Sequence, residues 1–308
     1  MRVGLIDIGT NTTKILIAEY EPTHSLVEID QTAFPCRLLH HDGDRETIDS
    51  SSIETLIHCL STLAVHAKKK QVSQLFAVAT EGLRRAKNSP QIVRQVSKAL
   101  GININILSGI EEASAIAEGL LTDPELSGLK NFFALDIGGG SLELIRVQNR
   151  QCKAVHSFPI GAARLTKKFI ADPTLPYNAA HITEIERFVR ATLDSTEPEL
   201  SPALPILVGC GGTLVYLRKI ISNLSPQITL DALSSIRTKL TALSLEERIC
   251  EFPQLPRDRA DIFPAGLISL ETVLRFLGIN SITHSYHNLR HGLVKRIYQK
   301  GSLTEQTN

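Results

Sequence analysis

One thirteen-residue pattern occurs twice in this chain. Leu5-Ile6-Asp7-Ile8-Gly9-Thr10-Asn11-Thr12-Thr13-Lys14-Ile15-Leu16-Ile17 lines up with Ala134-Leu135-Asp136-Ile137-Gly138-Gly139-Gly140-Ser141-Leu142-Glu143-Leu144-Ile145-Arg146. In each copy an apolar run ends in Asp-Ile-Gly, a small polar turn follows, and a second apolar run returns. Asp7 falls on Asp136, Gly9 on Gly138 and Thr12 on Ser141. Aliphatic runs broken by Gly and Asn read as two strands joined by a tight turn. Two such units, one opening each half, point to duplication of a single α/β unit. The length, 308 residues, accommodates two domains of about 100–200 residues each.

The stretches after each copy alternate strand and helix patterns. In the first half, apolar residues at Ile53, Leu56, Ile57, Leu60, Leu63 and Ala64 follow the helical period. Leu75–Ala79 and Ile104–Leu107 read as short buried strands. Pro90–Leu100 reads as a helix stopped by Gly101, and Glu111–Leu121 as a second helix. Thr122-Asp123-Pro124 and Ser127-Gly128 have linker composition. In the second half, Phe132–Ile137, Ser141–Val147 and Cys152–Phe158 read as strands. Helices are expected over Ile182–Leu193, Leu230–Leu243, Ser244–Cys250 and Ala265–Leu277. The expected domains are 1–125 and 126–288.

Lys and Arg number 33 against 32 Asp and Glu, a net charge of +1. That balance excludes nucleic acid held by the bulk field, so any anionic ligand must be gripped by local groups. The cysteines, Cys36, Cys59, Cys152, Cys210 and Cys250, form no CxxC pair, so neither a zinc knuckle nor a disulfide framework is expected. Asp7 interrupts the first apolar run before a secretory leader can form, and no run approaches the ~20 residues of a membrane span. The expectation is a reduced, cytoplasmic protein with no membrane partner.

Three glycine-rich turns follow strands: Gly9–Thr12, Gly138–Ser141 and Gly209-Cys210-Gly211-Gly212-Thr213. Without a Cβ, main-chain N–H groups can converge on an anion, and the hydroxyls of Thr10, Thr12, Thr13, Ser141 and Thr213 add neutral donors. The set suits phosphate. It matches neither GxGxxG nor GxxxxGK[ST], so a dinucleotide fold and a P-loop are unsupported. Asp7 and Asp136 end strands beside two of these turns, and Glu143 lies just beyond Ser141. Together they can offer a hard cation such as Mg²⁺ the oxygen donors it prefers. Glu111 and Glu112 open a helix, where acids commonly complement the helix dipole; here that role competes with one as base near phosphate. His284, His287 and His291 would share a face of a helix and could bind a metal, but packing or polar contact near the domain junction is the expected role.

These motifs together resemble the exopolyphosphatase / guanosine pentaphosphate phosphohydrolase family of the actin–sugar kinase–Hsp70 superfamily. The similarity runs over nearly the whole chain. It rests on the first turn, Ala79–Asn88, Leu107-Ser108-Gly109-Ile110-Glu111-Glu112-Ala113, Asp136–Glu143, Gly161–Leu165, Gly209–Thr213, Arg259–Gly266 and Leu289–Leu293. The resemblance implies two ribonuclease H-like (actin-like ATPase) domains with a cleft between them. It implies hydrolysis of a terminal phosphoanhydride, in polyphosphate or guanosine pentaphosphate, with Mg²⁺. Glu112 would be the catalytic base, with Glu111 as the alternative should the register slip. Asp136 and Glu143 would bind the metal or order water, with Asp7 a further metal ligand. Thr10, Asn11, Thr12, Arg84, Gly138, Gly139, Gly140, Ser141, Gly211, Gly212 and Thr213 would hold phosphate.

Arg37 stands at a further basic position of the family, though it lacks the glycine that usually follows. The partner expected is polyphosphate or guanosine penta- or tetraphosphate, and the assembly a homodimer. The segment 289–300 would pack back on the first domain. Longer members of the family carry a further helical region, so a chain ending near residue 300 is expected to be a short form. Two other functions suit the same motifs: an ATP-dependent small-molecule phosphotransferase, and a non-catalytic sensor of alarmone or polyphosphate.

Overall fold

The computed structural model describes residues 1–20, 26–38, 47–194, 204–221, 225–301 and 303. They fall into two compact units, Met1–Ser127 with His287–Asn308, and Gly128–Tyr286.

In the first unit, strands β1 (Arg2–Ile8), β2 (Thr12–Tyr20), β3 (Leu26–Pro35), β4 (Gln74–Ala79) and β5 (Ile104–Ile106) form a sheet in the order β3-β2-β1-β4-β5. The first three make an antiparallel meander, and β4 and β5 join in parallel. Parallel neighbours need crossovers. Helix α1 (Ser50–Lys69) supplies the one before β4; α2 (Glu81–Arg85) and α3 (Ser89–Leu100) supply the one before β5. Helix α4 (Gly109–Leu120) follows. Val3, Leu5, Ile6 and Ile8 of the central strand are fully buried, because β1 is covered on both faces and therefore reads as a continuous apolar run rather than an alternating one. Helix α1 starts where the Asp49 carboxylate accepts the Ser52 N–H at 2.6 Å, and α3 ends at Gly101 in the left-handed conformation.

In the second unit, β6 (Phe132–Ile137), β7 (Leu142–Gln148), β8 (Gln151–Phe158), β9 (Leu207–Cys210), β10 (Gln227–Thr229) and β11 (Ser281–His284) form a sheet in the order β10-β11-β9-β6-β7-β8. Read from the β8 edge it runs β8-β7-β6-β9-β11. That is the same order and polarity as β3-β2-β1-β4-β5, with β10 added antiparallel at the far edge. The repeat in sequence is thus a repeat in topology. Its helices are α5 (Ala162–Phe169), α6 (Ala179–Asp194), α7 (Gly212–Ile221), α8 (Leu230–Ala242), α9 (Leu245–Glu251), α10 (Arg257–Ala260) and α11 (Phe263–Leu277). Helix α11 is apolar nearly all round because α5, α6 and α8 pack against it. Helices α2, α5 and α10 and strands β10 and β11 have no counterpart in the sequence pattern. Segments of three to eight residues are too short for a period to show.

Arg248 of α9 is fully buried. Its guanidinium donates to the carbonyls of Leu240, Pro173, Ala260 and Leu175 and lies over the Tyr177 ring, 5.1 Å from its centroid. One side chain thereby serves four carbonyls from three segments. Arg248→Ala is expected to leave those carbonyls without this donor and to open a cavity, lowering the stability of this unit by about 3–5 kcal/mol. Urea unfolding followed by circular dichroism checks this; a midpoint unchanged from wild type would contradict it.

The last helix, α12 (Leu289–Lys300), packs on α4, β1 and β2 of the first unit. The crossing with α4 is a backbone contact. A Cβ on Gly119 would stand 2.0 Å from the Asn288 carbonyl oxygen, and one on Gly292 only 1.9 Å from that of Ala115. Arg296 clamps the pair, donating to both Glu118 carboxylate oxygens at 2.8 Å and to Ser114 Oγ at 2.9 Å.

Candidate active site

Each unit carries the same turn. Between β1 and β2, the Gly9 N–H donates to the Thr12 carbonyl at 3.1 Å; between β6 and β7, Gly138 donates to Ser141 at 3.0 Å. In the second unit the carbonyls of Gly138, Gly139 and Gly140 accept from the N–H groups of Ala162, Arg164 and Gly161, at the start of α5, at 2.9, 3.0 and 3.3 Å. A trans peptide points its C=O and the next N–H in opposite directions. The amides of Gly139, Gly140 and Ser141 therefore all face away from α5. Three successive amides turned to one side form a concave anion-binding nest. The packing demands glycine at Gly161 as well, since a Cβ there would sit 2.5 Å from the Gly140 carbonyl carbon and the Ser141 nitrogen.

The first turn is built the same way on other partners. Leu38 donates to the Thr10 carbonyl at 2.8 Å and Cys36 to that of Asn11 at 3.3 Å, so the amides of Asn11 and Thr12 face the opposite side. Asn11 Oδ1 accepts from Arg37 Nε at 2.7 Å, which places a guanidinium at this turn. Thr10 Oγ1 donates to the Glu81 carboxylate at 3.2 Å.

The third turn follows β9. Gly211 has a φ of +92°, and a Cβ on it would fall 1.9 Å from Asp136 Oδ1, so only glycine fits. Thr213 Oγ1 donates to the Ile137 carbonyl at 3.3 Å, tying this turn to the end of β6. Arg259 of α10, which the sequence reading assigns no role, brings its guanidinium against Gly212: a Cβ there would meet Nη1 at 2.9 Å. Its place in the Arg259–Gly266 motif, just before an apolar helix, is the available signal. Its distance in sequence from Gly212 hides the meeting.

The two copies differ opposite their aspartates. On the antiparallel register Asp136 faces Glu143, whereas Asp7 faces Lys14. Side chains directly opposite share one face of the sheet. Burial pushes the Asp7 carboxyl up from its ordinary range, with Lys14 and Arg290 pulling it back down. Glu143 is buried and accepts from Ser157 Oγ at 2.8 Å. Two carboxylates opposite each other repel unless a cation joins them, and their oxygen donors suit Mg²⁺. The Asp136–Glu143 pair fits that ion. Lys14 makes Asp7 the poorer ligand.

Glu111 and Glu112 separate clearly. Ser108 caps α4, its Oγ accepting the Glu111 N–H at 3.2 Å while Glu111 Oε2 accepts the Ser108 N–H at 2.8 Å, a reciprocal capping box. Glu112 is buried instead, and its Oε2 accepts from Arg84 Nη1 at 2.8 Å. The same Arg84 nitrogen donates to the Leu107 carbonyl at 2.8 Å. The histidines do not share a helical face: His284 ends β11 in the second unit, while His287 and His291 flank the start of α12 in the first. A strand end and a bend at Tyr286 intervene where sequence spacing suggests one helix.

Two sheets of one topology, each with a glycine turn after its first strand, define the actin-like ATPase fold class. Within that class the chain belongs to the Ppx/GppA phosphatase family, whose model matches residues 16–300. Solved structures agree on the fold. An exopolyphosphatase from Cytophaga hutchinsonii is 22% identical with a TM-score of 0.90, covering 99% of this chain and 100% of that one. The Aquifex aeolicus Ppx/GppA family member is 23% identical with a TM-score of 0.80, covering 98% and 99%. Among the described residues no helix is long and apolar enough to cross a membrane.

Proposed function

We infer that this hydrolase removes the terminal phosphate of inorganic polyphosphate, and of guanosine pentaphosphate as a second substrate. The observation that carries the reading is the nest at Gly139–Ser141, three successive amides turned away from α5 by the hydrogen bonds that its first turn makes to the carbonyls of Gly138, Gly139 and Gly140. Such donors are worth most where they meet charge developing in the transition state, because they need no reorganisation. Anhydride hydrolysis asks mainly for positioning and charge neutralisation. The Cytophaga structure, named an exopolyphosphatase, supports the substrate class.

Glu112 is the base: Arg84 fixes its Oε2, so the carboxylate is oriented before an attacking water arrives, and it takes that water's proton. In the first unit Arg84 and the turn after β1 would hold phosphoryl oxygens; in the second, the turns after β6 and β9 with Arg259 would do the same. Mg²⁺, held by Asp136 and Glu143, would neutralise charge on the phosphate when bound. The protein acts as a cytoplasmic homodimer.

Phosphate release measured with long polyphosphate, short polyphosphate, guanosine pentaphosphate and ATP tests this. Release from polyphosphate, with ATP inert, is the expected result. Stoichiometric transfer from ATP to an acceptor hydroxyl would make the protein a phosphotransferase instead. Tight binding of guanosine pentaphosphate with no release from any substrate would make it a sensor.

A further inference from the structure

We propose that Glu28 of β3 with His287 and His291 at the start of α12 forms a transition-metal site of the zinc class, distinct from the phosphate-binding turns, that braces α12 to the edge of the first sheet. One donor atom from each lies within 4.8 Å of the others. Ligand bonds of about 2.0–2.2 Å put tetrahedral donors about 3.3–3.6 Å apart, so donors near the 4.8 Å limit must close by about 1 Å or more while the His291–Glu28 pair opens from 2.7 Å; rotation of the exposed Glu28 side chain and of the His287 ring supplies the adjustment. Two imidazoles and one carboxylate are a borderline donor set: they select Zn²⁺, Co²⁺ or Ni²⁺ over Mg²⁺, which wants oxygen alone.

The hydrogen bonds around the rings fix their tautomers. Thr122 Oγ1 donates its single proton to the Gly119 carbonyl at 2.6 Å. It must therefore accept from His287 Nδ1, 2.7 Å away. His287 then carries its proton on Nδ1 and its lone pair on Nε2. This is the orientation that an outer hydrogen bond imposes on a metal-bound histidine. His291 is arranged the other way. Its Nδ1 accepts the Asn288 N–H at 3.1 Å, and its Nε2 proton faces Glu28 Oε1 at 2.7 Å. The incoming ion takes the place of that proton; the ring shifts to the tautomer protonated at Nδ1, and the Asn288 bond is given up. The rings stack with centroids 4.2 Å apart, so the two imidazoles stand side by side at the start of α12, and the carboxylate comes from β3. Burial holds His291 down to about 4 and also lowers His287, so both rings are neutral, the ligating form, at pH 7. The fourth position is left to water.

The test uses the full chain, stripped with chelator and kept in excess Mg²⁺ so that oxygen-donor sites are filled. Titration with Co²⁺ is expected to give the visible d–d bands of a nitrogen–oxygen site, saturating at one equivalent, with Zn²⁺ displacing Co²⁺ and raising the melting temperature. His287→Ala and Glu28→Gln, both at least partly exposed positions, should keep the native circular dichroism and phosphate release. They should weaken Co²⁺ binding by about 100-fold or more. No d–d band at millimolar Co²⁺, or a band that survives His287→Ala, would overturn the proposal and leave a histidine–glutamate hydrogen bond alone.

Discussion

Glu112→Gln should reduce kcat for phosphate release by about 10²–10⁴-fold, the range that a positioned general base contributes. The substitution is isosteric. An amide oxygen can still accept from Arg84 Nη1, which now donates to the carboxylate at 2.8 Å, so the fold and the binding of inorganic phosphate should persist. What is lost is the capacity to take a proton from water. The neighbour supplies the control. Glu111 is engaged with Ser108 in the capping box, so Glu111→Ala should cost about 0.5–2 kcal/mol of stability while kcat stays within about twofold of wild type, because a cap acts on the helix end and not on the reaction. Single-turnover release together with thermal melts reads both. Equal kcat for wild type and Glu112→Gln would remove Glu112 as the base.

The second large effect belongs to a residue outside the glycine turns. Gly292→Ala places a methyl group 1.9 Å from the Ala115 carbonyl oxygen and 2.8 Å from the Gly119 nitrogen. Both are backbone atoms inside helix α4, which cannot turn aside as a side chain can. An overpacked core usually costs about 1–3 kcal/mol, and a clash of backbone with backbone belongs at or above the top of that range. The helices must separate, and separation strains the Arg296–Glu118 pair and shifts α4, whose first turn carries Glu112. The expected result is a loss of about 3 kcal/mol or more with a parallel fall in kcat. Arg296→Met, which removes the clamp but keeps the glycine crossing, should be milder on both. Chemical denaturation of the three proteins side by side decides the matter: a Gly292→Ala midpoint equal to wild type would mean that the helices do not cross this closely.

Much of the site is legible in the sequence because its parts are local. A glycine turn after a buried strand announces itself within six residues, and the second copy of Asp-Ile-Gly shows that the first is no accident. Pairings across the chain cannot be read in this way. The contrast between Asp136 facing Glu143 and Asp7 facing Lys14 is a matter of strand register. Register follows from the turn only once the turn is known to be closed by Gly9 to Thr12 and Gly138 to Ser141. Arg259 meets Gly212 across a long sequence separation, and no local pattern marks it. Glu111 and Glu112 are adjacent acids with the same spacing signals; only the direction in which α4 leaves Ser108 divides their tasks. The three histidines mislead because their spacings of three and four imitate one helix, whereas a strand ends at His284.

The sequence by itself determined the duplicated α/β plan, the position of the glycine turns and the residue types able to hold phosphate, because these depend on period, turn chemistry and the missing Cβ, all properties of a few consecutive residues. Only the tertiary structure decided which way the amides of Gly139, Gly140 and Ser141 face, which glutamate is buried against Arg84, and how closely α12 lies on α4. Each of those depends on a partner distant in the chain, whose hydrogen bond or contact distance fixes a direction that local preference leaves open.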